Sequence, residues 1–169
     1  MSEKKNRADP SQYLTFHLAG EEYAIGILHV KEIIAYGAVT VVPQTPAFVR
    51  GVINLRGSVV PVVDLALKFG LSASPVTHRT CIIIVEVRLD GEPTIMGIIA
   101  DSVSQVVELS ADDILPPPPF GTRVKLDFLR GMGKAGAHFL LILDVDRVLS
   151  SAELGAATLP PGQAVAPGA

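Results

Sequence analysis

The stretch GVINLRGSVVPVVDL, residues 51–65, predicts a β-hairpin and indicates the fold class of the chain. Two runs of aliphatic, largely β-branched residues flank a short polar segment, a pattern typical of two strands joined by a tight turn. Asn54 and Gly57 are the residues that we expect to build this turn, with Arg56 at its apex. Pro61 lies within the second run and cannot donate a ladder hydrogen bond, so we expect an edge strand or a bulge there.

Short strands continue on both sides of this hairpin. Residues 13–27 alternate in the manner of a first hairpin, and residues 80–108 are almost wholly strand-like. Residues 28–36 fit either a helical turn or a bent strand. Asp64 and Asp144 each follow an apolar run and precede a short helical stretch, an echo that fits either chance or two similar small barrels. We therefore predict an all-β protein with short helices, in which barrels hide the strand edges.

The composition excludes several classes of function. The 169 residues suffice for one domain, or for two small subdomains with a shared core. The net charge is −3 and the basic residues are scattered, so no nucleic-acid partner is expected. The chain starts without an apolar signal segment, and no apolar run approaches the roughly 20 residues of a membrane span. We expect a cytoplasmic protein without direct membrane insertion, in which Cys81 is a buried structural thiol.

The polar residues do not form a recognisable catalytic motif. No nucleotide-binding glycine loop or nucleophile elbow occurs in the sequence, and the strand-end aspartates, among them Asp101 and Asp146, are typical of turn and helix caps. We expect no catalytic residue, no metal ligand, no cofactor and no enzyme activity. None of the histidines forms a short metal-ligand pair with another histidine or with the cysteine: His17, His29, His78 and His138.

Surface recognition is the remaining kind of function. An arginine at a hairpin apex is most often simply solvated. A lone glutamate such as Glu32 is, in the same way, most simply interpreted as a solvated charge on a half-buried segment. The sharper hypothesis is that Arg56 anchors an interface, because its stem covers apolar surface while its guanidinium makes directed hydrogen bonds.

Several blocks of sequence, in order and without large gaps over residues 13–149, resemble the CheW family of chemotaxis coupling proteins. The most specific block is TPAFVRGVINLRGSVVPVVDLALKFG, and LAGEEYAIGILHVKEI, GIIADSVSQVVEL, ILPPP, FLRGMGK and LLILDVDRVL agree as well. The resemblance implies two interlocked five-stranded SH3-like β-barrels on a shared apolar core, spanning residues 13–153. Residues 1–12 and the Ala-, Pro- and Gly-rich residues 154–169 are expected to be disordered tails.

The family resemblance also implies a function and partners. A family member is a non-catalytic adaptor that couples methyl-accepting chemoreceptors to the histidine kinase CheA, at membrane-bound receptor arrays. The receptor's cytoplasmic tip is expected to bind in the groove between the barrels. The kinase's regulatory domain is expected to bind elsewhere on the barrels, with Phe120 as a contact to the kinase. The residues that carry over as receptor contacts are Val30, Glu32, Arg56, Val103 and Val106.

Three alternatives remain open at this point. The same fold serves in other chemosensory arrays, which control motility, development or a second messenger. An enzyme or a small-ligand binder built on barrels would instead need convergent polar groups in a concave apolar pocket. A free peptide-binding module of the SH3 type would need an aromatic-lined groove, and the chain has no Trp and three Tyr.

Overall fold

The computed structural model describes residues 11–73, 75–116 and 128–149. Phe120, residues 1–10 of the predicted N-terminal tail and the whole predicted C-terminal tail lie outside this part, whereas Gln12, which was assigned to the N-terminal tail, begins the first strand. Eleven strands and two short α-helices make up the described part. The strands are β1 Gln12–Leu18, β2 Glu21–Gly26, β3 Val30–Ala35, β4 Val49–Leu55, β5 Ser58–Val63, β6 Cys81–Leu89, β7 Glu92–Ala100, β8 Ser102–Glu108, β9 Ile114–Leu115, β10 Leu129–Ala135 and β11 His138–Leu143. The helices are α1 Leu65–Lys68 and α2 Val145–Val148. None of the described helices is long and apolar enough to span a membrane.

The strands form two sheets that exchange one strand each. Sheet A has the order β8-β1-β2-β11-β10-β9, and sheet B has the order β3-β6-β7-β5-β4. Strand β3 follows β2 in the chain but pairs with β6 of the other sheet, and β8 follows β7 but pairs with β1. The two sheets are therefore interlocked, and the predicted all-β fold is confirmed. Sheet A has six strands where five were expected, because the two-residue strand β9 pairs with β10. Among the described residues, backbone hydrogen bonds do not close either sheet into a barrel.

Three apolar clusters hold the sheets together, and alternation along the strands assigns residues to them. In β6, Ile83 and Val85 point to a large cluster shared by both sheets, whereas Ile82 and Ile84 point to an inner cluster of sheet B. Sheet A has its own inner cluster, which includes Tyr13. A strand buried on both faces needs no polar face, which is why the β6 sequence is an almost unbroken apolar run.

The hairpin that includes Pro61 corrects one prediction. Strand β5 is not at an edge, because it pairs with β4 on one side and with β7 in parallel on the other. The irregularity in its pairing with β4 lies between Val49 and Gly51, away from the proline. The pairing with β7 covers only Val62 and Val63, so Pro61 lies just beyond it and the missing N–H is tolerated.

Aspartates begin both α-helices, as predicted. The Asp64 carboxylate accepts hydrogen bonds from the backbone N–H groups of Ala66 and Leu67, at 3.0 and 3.4 Å. The Asp144 carboxylate accepts one from the backbone N–H of Arg147, at 3.2 Å. The echo of strand, aspartate and helix in the sequence is thus repeated in the structure, as β5 with α1 and as β11 with α2.

Candidate functional site

The turn between β4 and β5 presents Arg56 from a constrained backbone. Arg56 and Gly57 have positive φ angles of 51° and 89°, and they separate the paired residues Leu55 and Ser58. Two central residues with positive φ are typical of the turn that matches the twist of a tight hairpin. The Asn54 side-chain oxygen accepts a hydrogen bond from the backbone N–H of Gly57 at 2.7 Å. Asn54 and Gly57 therefore build the turn and hold Arg56 at its apex.

Arg56 pairs with Glu32 through both terminal nitrogens of its guanidinium. Arg56 Nη1 donates to Glu32 Oε1 at 3.4 Å, and Nη2 donates to Oε2. This hydrogen bonding and the carboxylate charge raise the pKa of Arg56 above its ordinary value. The Arg56 side chain is 73% exposed and that of Glu32 is 30% exposed. The two residues that were predicted separately thus form one bidentate ion pair at the surface.

A cleft of about 730 Å³ opens beside this ion pair. Its floor contains Val60 and Ile84, which belong to the inner cluster of sheet B. Val59 lines the cleft and is 73% exposed, so an aliphatic side chain is presented to solvent directly beside the charged pair. The other lining residues are Lys31, Glu32, Leu55, Arg56, Ser58, Pro61, Pro93, Thr94 and Ile95. An apolar floor with a charged rim is suited to binding a side chain of a partner.

The other predicted receptor contacts lie apart from the cleft. Val30 and Val103 are half-buried on β3 and β8, and both pack against the shared cluster. Val106 is also on β8 and is 48% exposed. The predicted contacts therefore fall into two groups, with Glu32 and Arg56 at the cleft and the three valines on the two exchanged strands.

The strand-end carboxylates have structural partners. Besides the two aspartates that cap helices, the Asp101 carboxylate accepts a hydrogen bond from the backbone N–H of Ala19 at 3.0 Å. The Asp146 carboxylate accepts one from the backbone N–H of Arg88, also at 3.0 Å. Within residues 11–73, 75–116 and 128–149, no group of three His, Cys, Asp or Glu side chains is placed to hold a metal ion.

Val59 and Ile95 are parts of the cleft that sequence reasoning missed. The run from Val59 to Val63 is apolar at every position, so alternation alone does not distinguish its buried face from its exposed face. The usable signal was the position of Val59 next to the turn, because turns and the residues beside them lie at the surface.

Comparisons with known proteins agree with this architecture. A family model described as the CheW-like domain matches residues 12–153. The chain belongs to the CheW-like family. It is 38% identical to the chemotaxis protein CheW of Klebsiella aerogenes over 143 residues, which cover 85% of this chain and 84% of that protein. It is 33% identical to the chemotaxis protein CheW of Treponema pallidum, again over 143 residues, with coverages of 85% and 84%.

A solved structure shares the fold. The crystal structure of the scaffolding protein TtCheW from Thermoanaerobacter tengcongensis matches with a TM-score of 0.71 at 34% identity. The match covers 80% of this chain and 90% of that chain. The resemblance noted in the sequence is therefore confirmed, and both members of the Arg56–Glu32 pair lie within the region matched by the family model.

Proposed function

We propose that this protein is a non-catalytic scaffold that couples methyl-accepting chemoreceptors to the histidine kinase CheA in chemotaxis. The observation that carries the proposal is the CheW-like match over residues 12–153, together with 38% identity to a chemotaxis protein CheW across 84% of that relative. The relative of known structure, TtCheW, is described as a scaffolding protein, which supports the same role. The protein would work in the cytoplasm, at membrane-bound receptor arrays.

The receptor contact would join the two groups of predicted residues. Val30 and Val103 come from the two exchanged strands and pack against the same shared cluster. A receptor helix in the groove between the two sheets would therefore contact Val30 from sheet B and Val103 from sheet A. Exposed Val106 would lie beside them. Glu32 and Arg56 would form a charged rim, as in other grooves that bind amphipathic helices.

The kinase contact is proposed from the family resemblance alone. The regulatory domain of CheA would dock away from the receptor groove, with Phe120 as one contact. This residue lies outside the described part of the chain, so the support for it is its position after the proline run.

A binding role without catalysis is supported by the strand-end carboxylates. Asp64, Asp101, Asp144 and Asp146 each accept hydrogen bonds from backbone N–H groups. A carboxylate that caps a turn or a helix has a structural reason to be there, and needs no catalytic one.

Reconstitution tests the proposal directly. CheA autophosphorylation would be measured with receptor-containing membranes, in the presence and in the absence of this protein. We expect strong stimulation that depends on the protein. Absence of stimulation by the folded protein with its cognate receptor and kinase would contradict the coupling role.

The same assay tests the proposed receptor contact. Arg56→Ala and Glu32→Ala should each reduce stimulation and receptor binding, while the far-ultraviolet circular dichroism stays that of the wild type. Glu86→Ala is a matched control, because it removes the neighbouring ion pair of Lys31 with Glu86, at 3.1 Å, from a residue that does not line the cleft. If Arg56→Ala unfolds the protein, the role of Arg56 is structural and the proposed contact is wrong.

A role in a different chemosensory array is the alternative. The names of the relatives above, which are chemotaxis proteins, favour the chemotaxis assignment. Purification of the native protein together with its kinase distinguishes the chemotaxis role from this alternative. In an array that controls motility, development or a second messenger, a different CheA homologue would co-purify.

A further inference from the structure

Strand β8 carries an irregularity beside two of the proposed receptor contacts. Val103 of β8 lies opposite Phe16 of β1. The preceding residue of β1, Thr15, lies opposite Gln105, so Ser104 is one extra residue in β8. Two residues on one strand that oppose one residue on its partner define a β-bulge, and such bulges re-aim the side chains around them.

The bulge decides which side chains of β8 share a face. On a regular strand, side chains three residues apart point to opposite faces of the sheet. The residues opposite Val103 and Val106 both belong to the shared cluster, and they are Phe16 and Leu14. Because residues directly opposite each other in an antiparallel pair lie on one face, the extra residue brings Val103 and Val106 to the same face.

A buried hydroxyl group holds this bulge. Thr15 is 0% exposed, and its Oγ1 donates a hydrogen bond to the carbonyl oxygen of Gln105 at 3.1 Å. The same oxygen accepts a hydrogen bond from the backbone N–H of Gln105 at 3.2 Å. A hydroxyl group can donate and accept at once, so one side chain bonds both main-chain polar groups of the residue that follows the extra one. These two bonds fix the position of the bulge along β8.

Packing around Thr15 does not require a hydroxyl group. Alternation along β1 places Thr15 on the face of Tyr13, which belongs to the inner cluster of sheet A, and its partner on β2 is Ala24. Valine, which has nearly the same shape and also favours strands, would bury no polar atom there. The hydrogen bonds to β8 are therefore the reason for a threonine at this position.

The corresponding bulge of sheet B has a different side-chain partner. Lys31 is the extra residue where the pairing of β3 with β6 shifts. Ile84 of β6 occupies the position that Thr15 has in β1, and its side chain makes no hydrogen bond because it has no polar atom. Lys31 instead forms an ion pair with Glu86 of β6 at 3.1 Å. The hydroxyl group is thus a feature of the bulge in sheet A.

We propose that Thr15 is a positioning residue for the receptor contact, because its hydroxyl group fixes the bulge that keeps Val103 and Val106 on one face. Thr15 is itself too deeply buried to touch a partner, so it acts through β8. A bulge that moved by one residue past either valine would turn the two side chains to opposite faces. The inference rests on the proposed coupling role, in which both valines contact the receptor helix.

Amide exchange in the isolated protein tests the two hydrogen bonds. Thr15→Val removes both, and the Gln105 amide should then exchange with deuterium about two- to tenfold faster, the range that the net contribution of one hydrogen bond supports. Thr15→Ser keeps the hydroxyl group and should restore slow exchange. Nuclear Overhauser contacts between the methyl groups of Val106 and Leu14 should weaken in Thr15→Val alone. Unchanged exchange together with unchanged contacts in Thr15→Val would overturn the proposal.

Receptor binding tests the consequence for function. The dissociation constant for receptor-containing membranes should rise about two- to tenfold in Thr15→Val, the same hydrogen-bond range, and return to the wild-type value in Thr15→Ser. Thr80→Val is the matched control, because Thr80 is also buried and its hydroxyl oxygen accepts a hydrogen bond from the backbone N–H of Thr77 at 2.8 Å, just before β6. This control should bind the receptor as the wild type does.

The outcomes separate the role of Thr15 from the coupling role. Equal weakening of receptor binding by Thr80→Val would overturn the proposal, because any lost threonine hydroxyl group would then have the same effect. Failure of the wild-type protein to bind the receptor would contradict the coupling role. The exchange and Overhauser measurements need no receptor, so they decide independently whether the Thr15 hydroxyl group holds the bulge.

Discussion

The backbone N–H of Asp64 donates a hydrogen bond to the carbonyl oxygen of Phe48 at 2.7 Å, which ties the end of β5 to the start of β4. The same bond recurs between Asp144 and Phe128 at 2.8 Å, at the base of the β10–β11 hairpin. In both hairpins the strand then continues into a short helix that its aspartate caps. The two sheets are therefore built around one repeated unit of hairpin, aspartate and helix.

The helix of the first unit connects both copies of this repeat. Lys68 Nζ, on α1, lies 4.6 Å from the ring centroid of Phe48 and 5.4 Å from that of Phe128. We expect Lys68→Met, which keeps the apolar stem but removes the charge, to lower the free energy of unfolding by about 1 kcal/mol. Urea denaturation measures this. Lys31→Met, on the surface strand β3, is the control, and an equal loss there would argue against a specific role of the two rings.

Gly51 lies where two backbones come too close for a side chain. Its φ angle is 146°, and a Cβ atom would lie 2.0 Å from the carbonyl oxygen of Thr40. Gly51→Ala should therefore lower the free energy of unfolding by about 2–4 kcal/mol, since both the backbone strain and the overlap must be relieved. Gly37→Ala, with nothing within 4 Å of its Cβ, should stay within about 1 kcal/mol of wild type in the same urea titration. Similar losses for both would contradict the close approach.

The two capping aspartates should differ in importance. Asp64 is 2% exposed, and besides its cap it accepts a hydrogen bond from Arg50 Nη1 at 3.1 Å. Asp64→Ala should cost about 3 kcal/mol, because it removes the cap and leaves Arg50 without this carboxylate. Asp144→Ala should cost about 1 kcal/mol, the usual contribution of a helix cap. Chemical denaturation of both variants checks the order, and a larger loss at Asp144 would contradict it.

Local features of the fold could be predicted from the sequence because they depend on neighbouring residues. Alternation and turn residues predicted the hairpins of β1 with β2 and of β4 with β5, and the aspartates predicted both helix starts. The sequence of residues 28–36 fits either a helical turn or a strand, and both occur, as a 3-10 turn at Ile27–His29 followed by β3. The exchange of β3 and β8 between sheets was implied only by the family resemblance, since it depends on pairing between distant segments.

The candidate site could be predicted in its members but not in its geometry. Glu32 and Arg56 both stand out in the sequence, yet nothing in their local surroundings indicates that they meet across an open edge of sheet B. The expectation of an edge strand or a bulge at Pro61 was wrong for a similar reason. Whether a strand has one or two neighbours depends on tertiary pairing, which the local sequence does not indicate. Residues 1–10, the predicted C-terminal tail and the kinase contact at Phe120 lie outside the described residues and stay predictions.

Cys81 should make stability sensitive to alkaline pH. Cys81 is buried, with 9% of the residue exposed, and burial raises the pKa of its thiol above the ordinary value. The unfolded chain therefore loses the thiol proton at a lower pH than the folded protein does. The contribution of the protonated thiol to stability is complete below the pKa of the unfolded chain, about 8.5. It decreases as the pH rises through the pKa of the folded protein. Cys81→Ala should remove this part of the decline in urea titrations between about pH 8 and pH 10. An identical decline in the variant would contradict the assignment to Cys81.

The positive φ angle of Arg56 allows its backbone and side-chain roles to be separated. Asparagine tolerates this conformation better than most residues do, and it is favoured in tight hairpin turns next to glycine, whereas alanine has no such advantage. Arg56→Asn should therefore keep the melting temperature at or above that of the wild type, while the contact with Glu32 is lost. Arg56→Ala should melt lower than Arg56→Asn, and both should lose receptor coupling. Calorimetry and the reconstitution assay check this. Equal melting temperatures for the two variants, both well below that of the wild type, would instead show that the ion pair outweighs the turn in stabilising this hairpin.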